Sequence, residues 1–246
     1  SWFSVDPMSD KYPSLSPYNY CAWNPIRYVD PNGDSIWIVG LNERFKTDGQ
    51  NKIKWTKEGL FNADGSRYEG DNSFVLNTAE SLNQIYKSEC THEVVDRFLG
   101  SENNIDILES NNTEASISTS PMELGTYVRK NQTIEYNPTL ALSQCKPNAD
   151  DEEYLAPFVC LYHEFSHIYN AVTDYGSYYE RRNTKAGSYG DLEEKFVIER
   201  FEYSLAAVNG MLQRTSHILN VEGLNYYSSE GPLSTSPKKT KNINIE

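Results

Sequence analysis

The sequence is short of basic residues and of long apolar runs. Lys and Arg number 22 against 35 Asp and Glu, which gives a formal net charge of −13. Nucleic-acid binders usually carry a basic face, and anionic membranes attract basic segments, so we expect neither as a partner. No apolar run approaches the roughly 20 residues that a membrane-spanning helix needs.

The sequence also has no CxxC pair among its four cysteines, which are Cys21, Cys90, Cys145 and Cys160. Their spacing matches no zinc finger, and four are too few for a disulfide scaffold in a chain of 246 residues. We therefore expect buried thiols in a reducing compartment. The first residues have neither a basic region nor an apolar core, so we expect no signal peptide. Because the chain begins without Met, we expect it to be cut from a longer one.

An amphipathic helix is predicted over residues 157–173, which read PFVCLYHEFSHIYNAVT. Pro157 fits the first helical turn, where its missing N–H costs nothing. Apolar residues recur at spacings of three and four, which is typical of a helix with one face on the core. This stripe consists of Phe158, Leu161, Phe165, Ile168 and Val172.

On another face of this helix, His163 and His167 lie four residues apart, so their rings are one turn apart. Two imidazoles at that spacing can bind one Zn²⁺ at about 2.0–2.1 Å each. Glu164 lies beside the metal, where a general base can take a proton from a water molecule. A chance HExxH motif has a probability of roughly one in a hundred or less here. The motif therefore predicts a zinc metallopeptidase site.

A catalytic zinc ion needs a third protein ligand, and three downstream carboxylates are candidates. Residues 191–209 read as a second long helix capped by Asp191, with Glu193 and Glu194 in its first turn. Helical phase alone does not separate these two glutamates. Asp174 is the third candidate, provided that the chain turns back sharply after it. The buried stripe of the second helix is expected to consist of Leu192, Phe196, Phe201, Leu205 and Val208.

HEFSH followed by GDLEEKFVI resembles the zincins of the secreted-effector metallopeptidase family, which is distantly similar to clostridial neurotoxin light chains. The resemblance covers about residues 130–220. It implies that the second glutamate of the pair, Glu194, binds the zinc ion. The Thr-Val-Gly that often follows this pair is absent here. We expect an α+β, zincin-like fold with a small twisted sheet over the HExxH helix and a helical C-terminal half.

Members of that family also carry a later Arg-x-x-Tyr, whose side chains stabilise the tetrahedral oxyanion. The matching residues here are Arg214-Thr215-Ser216-His217. The resemblance therefore implies Arg214 as a catalytic cation, with His217 in the place of the tyrosine as a donor. Tyr226 and Tyr227 are alternative donors. The alternative for Arg214 is a surface charge at a helix end.

Residues 1–34 are rich in Pro, Tyr, Asn and Ser. The string FSVDPMSDKYPSLSPYNYCAWNPIRYVDPNGD resembles the end of an Rhs repeat-associated core, in which a large β-shell encloses a C-terminal toxin. The resemblance implies that Asp6 and Asp30 could cut the chain after the final DPxG motif. Asp34 stands where many self-cleaving members have an apolar residue. A role of both aspartates in turns is the alternative to cleavage.

Three segments are therefore expected: the end of an Rhs core at 1–34, a metallopeptidase toxin domain at 35–230 and a flexible tail at 231–246. The resemblances imply a cytoplasmically made toxin that is delivered into a target cell, by a type VI secretion system, and hydrolyses a protein there. They also imply an immunity protein and the Rhs shell as partners. The alternatives are a non-catalytic zinc-binding module and a zinc amidase acting on cell-wall peptides.

The remaining patterns predict strands, two hairpins and one further helix. SIWIVGL and NIDILES read as strands. One hairpin is expected around Asp64-Gly65 and another around Lys130-Asn131. Asn77 and Thr78 are expected to cap a helix over residues 79–99 that is interrupted near Thr91. Within it, His92 is expected to be an ordinary helix residue.

Overall fold

The computed structural model describes residues 36–40, 52–99, 104–117, 119–122, 125–128, 131–145, 152–221 and 223–238. The Rhs-like segment 1–34, with Asp6, Asp30 and Asp34, lies outside the described residues. Residues 239–246 also lie outside them. The expectations for these segments stay predictions.

The strands form one larger sheet and two smaller ones. They are β1 (Ile36–Val39), β2 (Ile53–Thr56), β3 (Gly59–Phe61), β4 (Asn104–Glu109), β5 (Glu114–Ser116), β6 (Thr119–Met122), β7 (Gly125–Val128), β8 (Asn131–Tyr136), β9 (Leu140–Gln144), β10 (Glu153–Leu155) and β11 (Leu224–Ser228). The larger sheet has six strands in the order β3-β2-β1-β4-β8-β5. The smaller sheets have the order β10-β9-β11 and pair β6 with β7.

Alternation of apolar residues explains the centre of the larger sheet. Ile105 and Ile107 of β4 lie on one face and are buried, because side chains two residues apart point the same way from a strand. β1 and β8 run parallel to β4 on either side, and β5 pairs antiparallel with β8 at the edge. This edge strand borders the helix that carries the two metal-binding candidates.

The helices are α1 (Ser73–Lys87), α2 (His92–Asp96), α3 (Pro157–Thr173), α4 (Tyr175–Arg182), α5 (Leu192–Val197) and α6 (Tyr203–Val208). A π turn at Ile198–Glu202 joins α5 to α6. The core forms where the apolar face of α3 meets the larger sheet and α1; Phe165 packs edge-on against Phe98 with ring centroids 5.9 Å apart. The mixed α/β architecture with small sheets is consistent with the predicted α+β class. Among the described helices, none combines the length and apolar character that crossing a bilayer requires.

The first predicted hairpin is present in part, and the second is wrong. The chain does turn back at Asp64-Gly65, where Phe61 and Arg67 form an antiparallel bridge, but β2 itself pairs with β3 across a turn at Thr56–Gly59. β8 pairs in parallel with β4, and β7 pairs with β6. The alternating buried residues of β8 require a central position in the larger sheet, which a hairpin with β7 does not provide.

The helix predicted over 79–99 begins earlier and is broken. Asn72 is the cap, because its side chain accepts a hydrogen bond from the Val75 N–H at 3.1 Å, while Asn77 and Thr78 lie inside α1. The helix ends at Lys87, and a short 3₁₀ turn precedes α2, so an interruption near Thr91 is present.

Two further expectations need correction. At the start of the predicted flexible tail, the Phe158 N–H donates to the Pro232 carbonyl at 3.1 Å and Leu233 contacts the apolar core, so these two residues pack against the domain. Among the described cysteines, Cys90 and Cys145 are exposed and Cys160 is partly buried, so the expectation of buried thiols does not hold.

Candidate metal centre

Helix α3 brings the two histidines together. It runs unbroken from Pro157, so His163 and His167 lie one turn apart on a face that is covered by α5. Both side chains are buried, and their Nε2 atoms are 3.0 Å apart. The rings are nearly perpendicular, with an interplanar angle of 85°. Two ring nitrogens therefore face one point.

Glu194 completes a triangle with these two nitrogens. The Asp191 side chain caps α5 by accepting hydrogen bonds from the Glu193 and Glu194 N–H groups, each at 3.0 Å. This cap fixes the first turn of α5, which carries both glutamates. Glu194 Oε2 then lies 3.1 Å from both His163 Nε2 and His167 Nε2.

The chemistry of this donor set fits a zinc ion. Three buried ligand atoms lie 3.0–3.1 Å from one another. Atoms that bind one tetrahedral zinc at about 2.0–2.1 Å are separated by roughly 3.3 Å, which is close to these distances. Hydrogen bonds alone do not account for the triangle, because each Nε2 atom carries at most one proton and the ionised carboxylate carries none, so at most two protons serve three edges. A shared cation satisfies all three atoms.

Two further carboxylates hold the outer nitrogens of the imidazoles. Glu193 Oε1 lies 3.3 Å from His167 Nδ1 and also accepts a hydrogen bond from Asn170 at 2.7 Å. Glu202 Oε2 lies 2.9 Å from His163 Nδ1. A carboxylate on Nδ1–H leaves Nε2 free to bind a metal and sets the ring orientation. Of the neighbouring pair, Glu194 therefore contacts both Nε2 atoms, and Glu193 contacts the outer nitrogen of His167.

The π turn explains how Glu202 reaches the same site as Glu194. In a regular helix, a separation of eight residues rotates two side chains roughly 80° apart. The π turn at Ile198–Glu202 adds one residue to the turn, which reduces the offset to roughly 20°. Glu194 and Glu202 consequently contact the two nitrogens of the same ring, His163. Leu192 and Val208, at the two ends of this region, are exposed, contrary to the predicted buried stripe.

Three arginines pair with the site carboxylates. Arg181 donates from Nε to Glu193, and Arg182 donates from Nη1 to the second oxygen of Glu194. Arg214 makes two hydrogen bonds to Glu202, at 2.8 and 2.6 Å. Arg214 is only 3% exposed, so it is not a surface charge at a helix end.

Burial and these charges determine the protonation preferences of the site. Burial opposes the charged form of His167, but the charge of Glu194 and the hydrogen bonds to Glu193 and Glu194 together outweigh burial and raise the pKa of His167 to about 10. Burial also opposes ionisation of Glu194, yet the charge of His167 and the hydrogen bonds from both histidines hold its pKa far below the usual range. The carboxylates thus attract a cation to the imidazoles.

Glu164 lies at the floor of a cleft of about 370 Å³. Its Oε2 accepts a hydrogen bond from the Ala115 N–H of edge strand β5 at 2.9 Å, and burial raises the pKa of its carboxyl group. His163, Arg214 and His217 also border the cleft. The remaining lining residues are Thr113, Leu140, Leu142, Cys160, Ile218, Leu219 and Tyr226.

His217 approaches the same centre from the loop that follows α6. Its Nε2 lies 3.3 Å from Glu194 Oε2, and its ring is nearly parallel to that of His163. Burial lowers the pKa of His217 to about 4. His163, Glu194 and His217 together could also hold a metal ion, since their ligand atoms lie within 4.8 Å of one another.

The other candidates lie elsewhere or have structural contacts. Asp174 caps α4 by accepting from the Ser177 N–H at 3.1 Å. Tyr226 is exposed at the cleft, whereas the Tyr227 hydroxyl donates to the Leu155 carbonyl. The His92 ring stacks on Tyr86.

Sequence reasoning missed Glu202, Arg181, Arg182 and the Ala115 amide. Regular helical phase separates Glu202 from Glu194, and only a register shift at 198–202 brings them together. The arginines and the amide belong to no motif, so no local pattern points to them.

Comparison with protein families gives a match that covers more than half of this chain. The model of the peptidase M91 family, described as an effector protein, matches residues 62–197. The matched range is more than half of the chain and includes α3 with both histidines, Glu164 and the first turn of α5. It ends before Glu202, Arg214 and His217. No curated protein matches the chain.

Proposed function

Since this chain belongs to the peptidase M91 family of effector proteins, we propose that it is a zinc-dependent metalloendopeptidase with a zincin-like fold. The observation that carries the proposal is the convergence of His163 Nε2, His167 Nε2 and Glu194 Oε2 at 3.0–3.1 Å. Glu164 stands beside these atoms at the floor of a cleft. The arrangement combines a metal-binding set with a general base.

The proposed mechanism assigns proton transfer to Glu164. A zinc ion, when bound, supplies Lewis acidity for water and for the scissile carbonyl. Glu164 takes the proton of the attacking water and later delivers it to the leaving amine. The hydrogen bond from the Ala115 N–H holds the carboxylate at the cleft floor in a fixed orientation.

Arg214 is the proposed stabiliser of the oxyanion. Its guanidinium lines the cleft and is held by two hydrogen bonds to Glu202, so its charge is fixed in position before the reaction. A preorganised cation in a buried site stabilises developing negative charge more than it would in water. His217 borders the same cleft and is a candidate donor to the same oxygen.

The open edge of strand β5 is an argument that the substrate is a protein. It pairs with β8 on one side only, and the Ala115 N–H faces Glu164 instead of β8. An extended peptide can add to such an edge through its backbone. We therefore propose that the substrate is a protein strand in a target cell.

The biological setting proposed is that of a polymorphic toxin. Residues 1–34 resemble the end of an Rhs core, and the matched family is one of effector proteins. We propose that residues 35–230 form the toxic domain, delivered by a type VI secretion system. The producing cell would need an immunity protein, and the Rhs shell would enclose the toxin before delivery.

One observation favours a non-catalytic zinc-binding module as the second candidate. His217 Nε2 lies 3.3 Å from Glu194 Oε2, so a fourth protein ligand stands near the centre. A site closed by four protein ligands is typical of structural zinc, whereas catalytic sites keep one position open. The cleft that reaches Glu164 favours catalysis.

Metal analysis combined with toxicity on expression tests the proposal. Wild type should bind one zinc ion and be toxic when expressed in the cytoplasm of a sensitive cell. Glu164→Gln should keep the zinc ion, because Glu164 is not a ligand, and should be harmless, because general-base catalysis contributes at least about 10²–10⁴-fold.

The matched control is Glu80→Gln, at an exposed position of α1, which should remain toxic. Zinc retention with full toxicity in Glu164→Gln would refute Glu164 as the base. Wild type without zinc would refute the metal centre itself.

A further inference from the structure

The loop that carries His217 is anchored at both sides. The His217 N–H donates to the Ser188 carbonyl at 3.0 Å, and the Ser188 hydroxyl donates to the Thr215 carbonyl at 3.2 Å. The Thr215 N–H donates to the Gln144 side chain at 3.1 Å, at the end of β9. The backbone of His217 is therefore fixed over the cleft, and its side chain is the part that can move.

Three imidazoles approach one carboxylate oxygen. Glu194 Oε2 lies 3.1 Å from the Nε2 atoms of His163 and His167 and 3.3 Å from that of His217. A separation of about 3.3 Å is what two ligands of one tetrahedral zinc show. The distance between His217 Nε2 and Glu194 Oε2 is therefore the one expected between two ligands of the same metal ion. His217 lies on the side of the centre that borders the cleft.

The three imidazole rings differ in whether a carboxylate contacts their Nδ1 atom. Glu202 holds Nδ1 of His163, and Glu193 holds Nδ1 of His167. Within the part of the chain that the structure describes, no carboxylate pairs with Nδ1 of His217. Its side chain is 38% exposed, against 3% and 6% for the other two. Permanent histidine ligands have such outer partners as a rule, and an exchangeable one needs none.

We propose that His217 is an exchangeable fourth ligand, which closes the centre formed by His163, His167 and Glu194 toward the cleft until a substrate displaces it. The proposal rests on the zinc site of the proposed function and adds a resting, closed state to it. Displacement breaks only the contact of His217 Nε2 with the centre and changes no covalent bond. Catalysis requires an open position, so the His217 ring must leave before a substrate carbonyl enters.

Visible absorption of the Co²⁺-loaded full chain tests the proposal without using activity. Removal of a nitrogen ligand changes both the position and the intensity of Co²⁺ bands. We expect His217→Ala and His217→Phe to shift these bands in the same way relative to wild type. Acetohydroxamate, a small ligand for the open position, should bind both variants about 10-fold or more tightly than wild type, since it no longer competes with the ring.

His92→Ala, outside the centre, is the control and should match wild type in both measurements. Unchanged bands and unchanged acetohydroxamate affinity in both His217 variants would overturn the proposal and leave His217 as a donor only. A change in His217→Ala alone would also overturn it, because His217→Phe lacks the ligand nitrogen but retains the ring. Failure of wild type to bind Co²⁺ or Zn²⁺ would instead refute the metal centre of the proposed function.

Discussion

The two helical regions that build the candidate metal centre differ in how their side chains reach it. Helix α3 is one regular helix, and the i, i+4 spacing alone places His163 and His167 side by side. The region from α5 to α6 is interrupted by the π turn, which brings Glu202 to the face of Glu194. Regular helical geometry thus supplies the imidazoles, and an irregular turn supplies their supporting carboxylate.

This difference separates two kinds of contribution. The imidazoles depend on local geometry and on burial of α3 against the core. The carboxylates depend on the local Asp191 cap of α5 and on contacts with separate elements, namely the arginines of α4 and Arg214 from the loop after α6. Substitutions in the second region therefore test the tertiary part of the site.

The largest effect is expected on zinc affinity when either of the two neighbouring glutamates of α5 is replaced by glutamine. Glu193→Gln should lower zinc affinity by roughly 10–100-fold, because it removes a partner of a ligand. Glu194→Gln should lower the affinity by more than that, because it removes the charged ligand itself. Competition with a chromogenic chelator measures both. A greater loss in Glu193→Gln than in Glu194→Gln would reverse the assignment of the third ligand.

A smaller but still large effect is expected on stability when Glu202 is neutralised. Glu202→Gln leaves the Arg214 guanidinium buried without its charged partner, which should lower the free energy of unfolding by about 3–5 kcal/mol. Urea unfolding with an excess of chelator measures this without any contribution from bound metal. Glu199→Gln removes an exposed pair with Lys195 on the same π turn and should change the stability by less than about 1 kcal/mol. Equal losses in the two variants would contradict the buried pair.

The smallest effects are expected on the free energy of unfolding when two apolar residues of α6 are compared. Leu205 is fully buried and Val208 is 66% exposed, although regular helical spacing predicts both in one stripe. Leu205→Ala should therefore cost about 2–5 kcal/mol, whereas Val208→Ala should change the free energy of unfolding by at most about 0.5 kcal/mol. Urea unfolding of both variants checks the register. A loss above about 2 kcal/mol in Val208→Ala would contradict the exposed position of Val208 at the end of α6.

Prediction from the sequence worked where one signal dominated and failed where two competed. Residues 157–173 combine a Pro at the first turn, an apolar stripe and no internal breaker, and α3 has those limits. The strand at NIDILES is also present, as β4. The partner of β8 was mispredicted, because a short loop favours a hairpin locally, while the alternating buried residues of β8 favour a place inside the larger sheet. No local pattern expresses that choice.

The sequence by itself determined that His163 and His167 lie one helical turn apart with Glu164 beside them, since this spacing is a property of the helix and needs no other element. Only the tertiary structure decided which carboxylate faces the imidazoles, that Arg214 is buried on Glu202 and that His217 lies at ligand distance from Glu194. The physical reason is that these contacts join residues far apart in the chain. Their positions depend on a helix cap, a π turn and an anchored loop, and these become fixed only when α3, α5 and the sheet pack together.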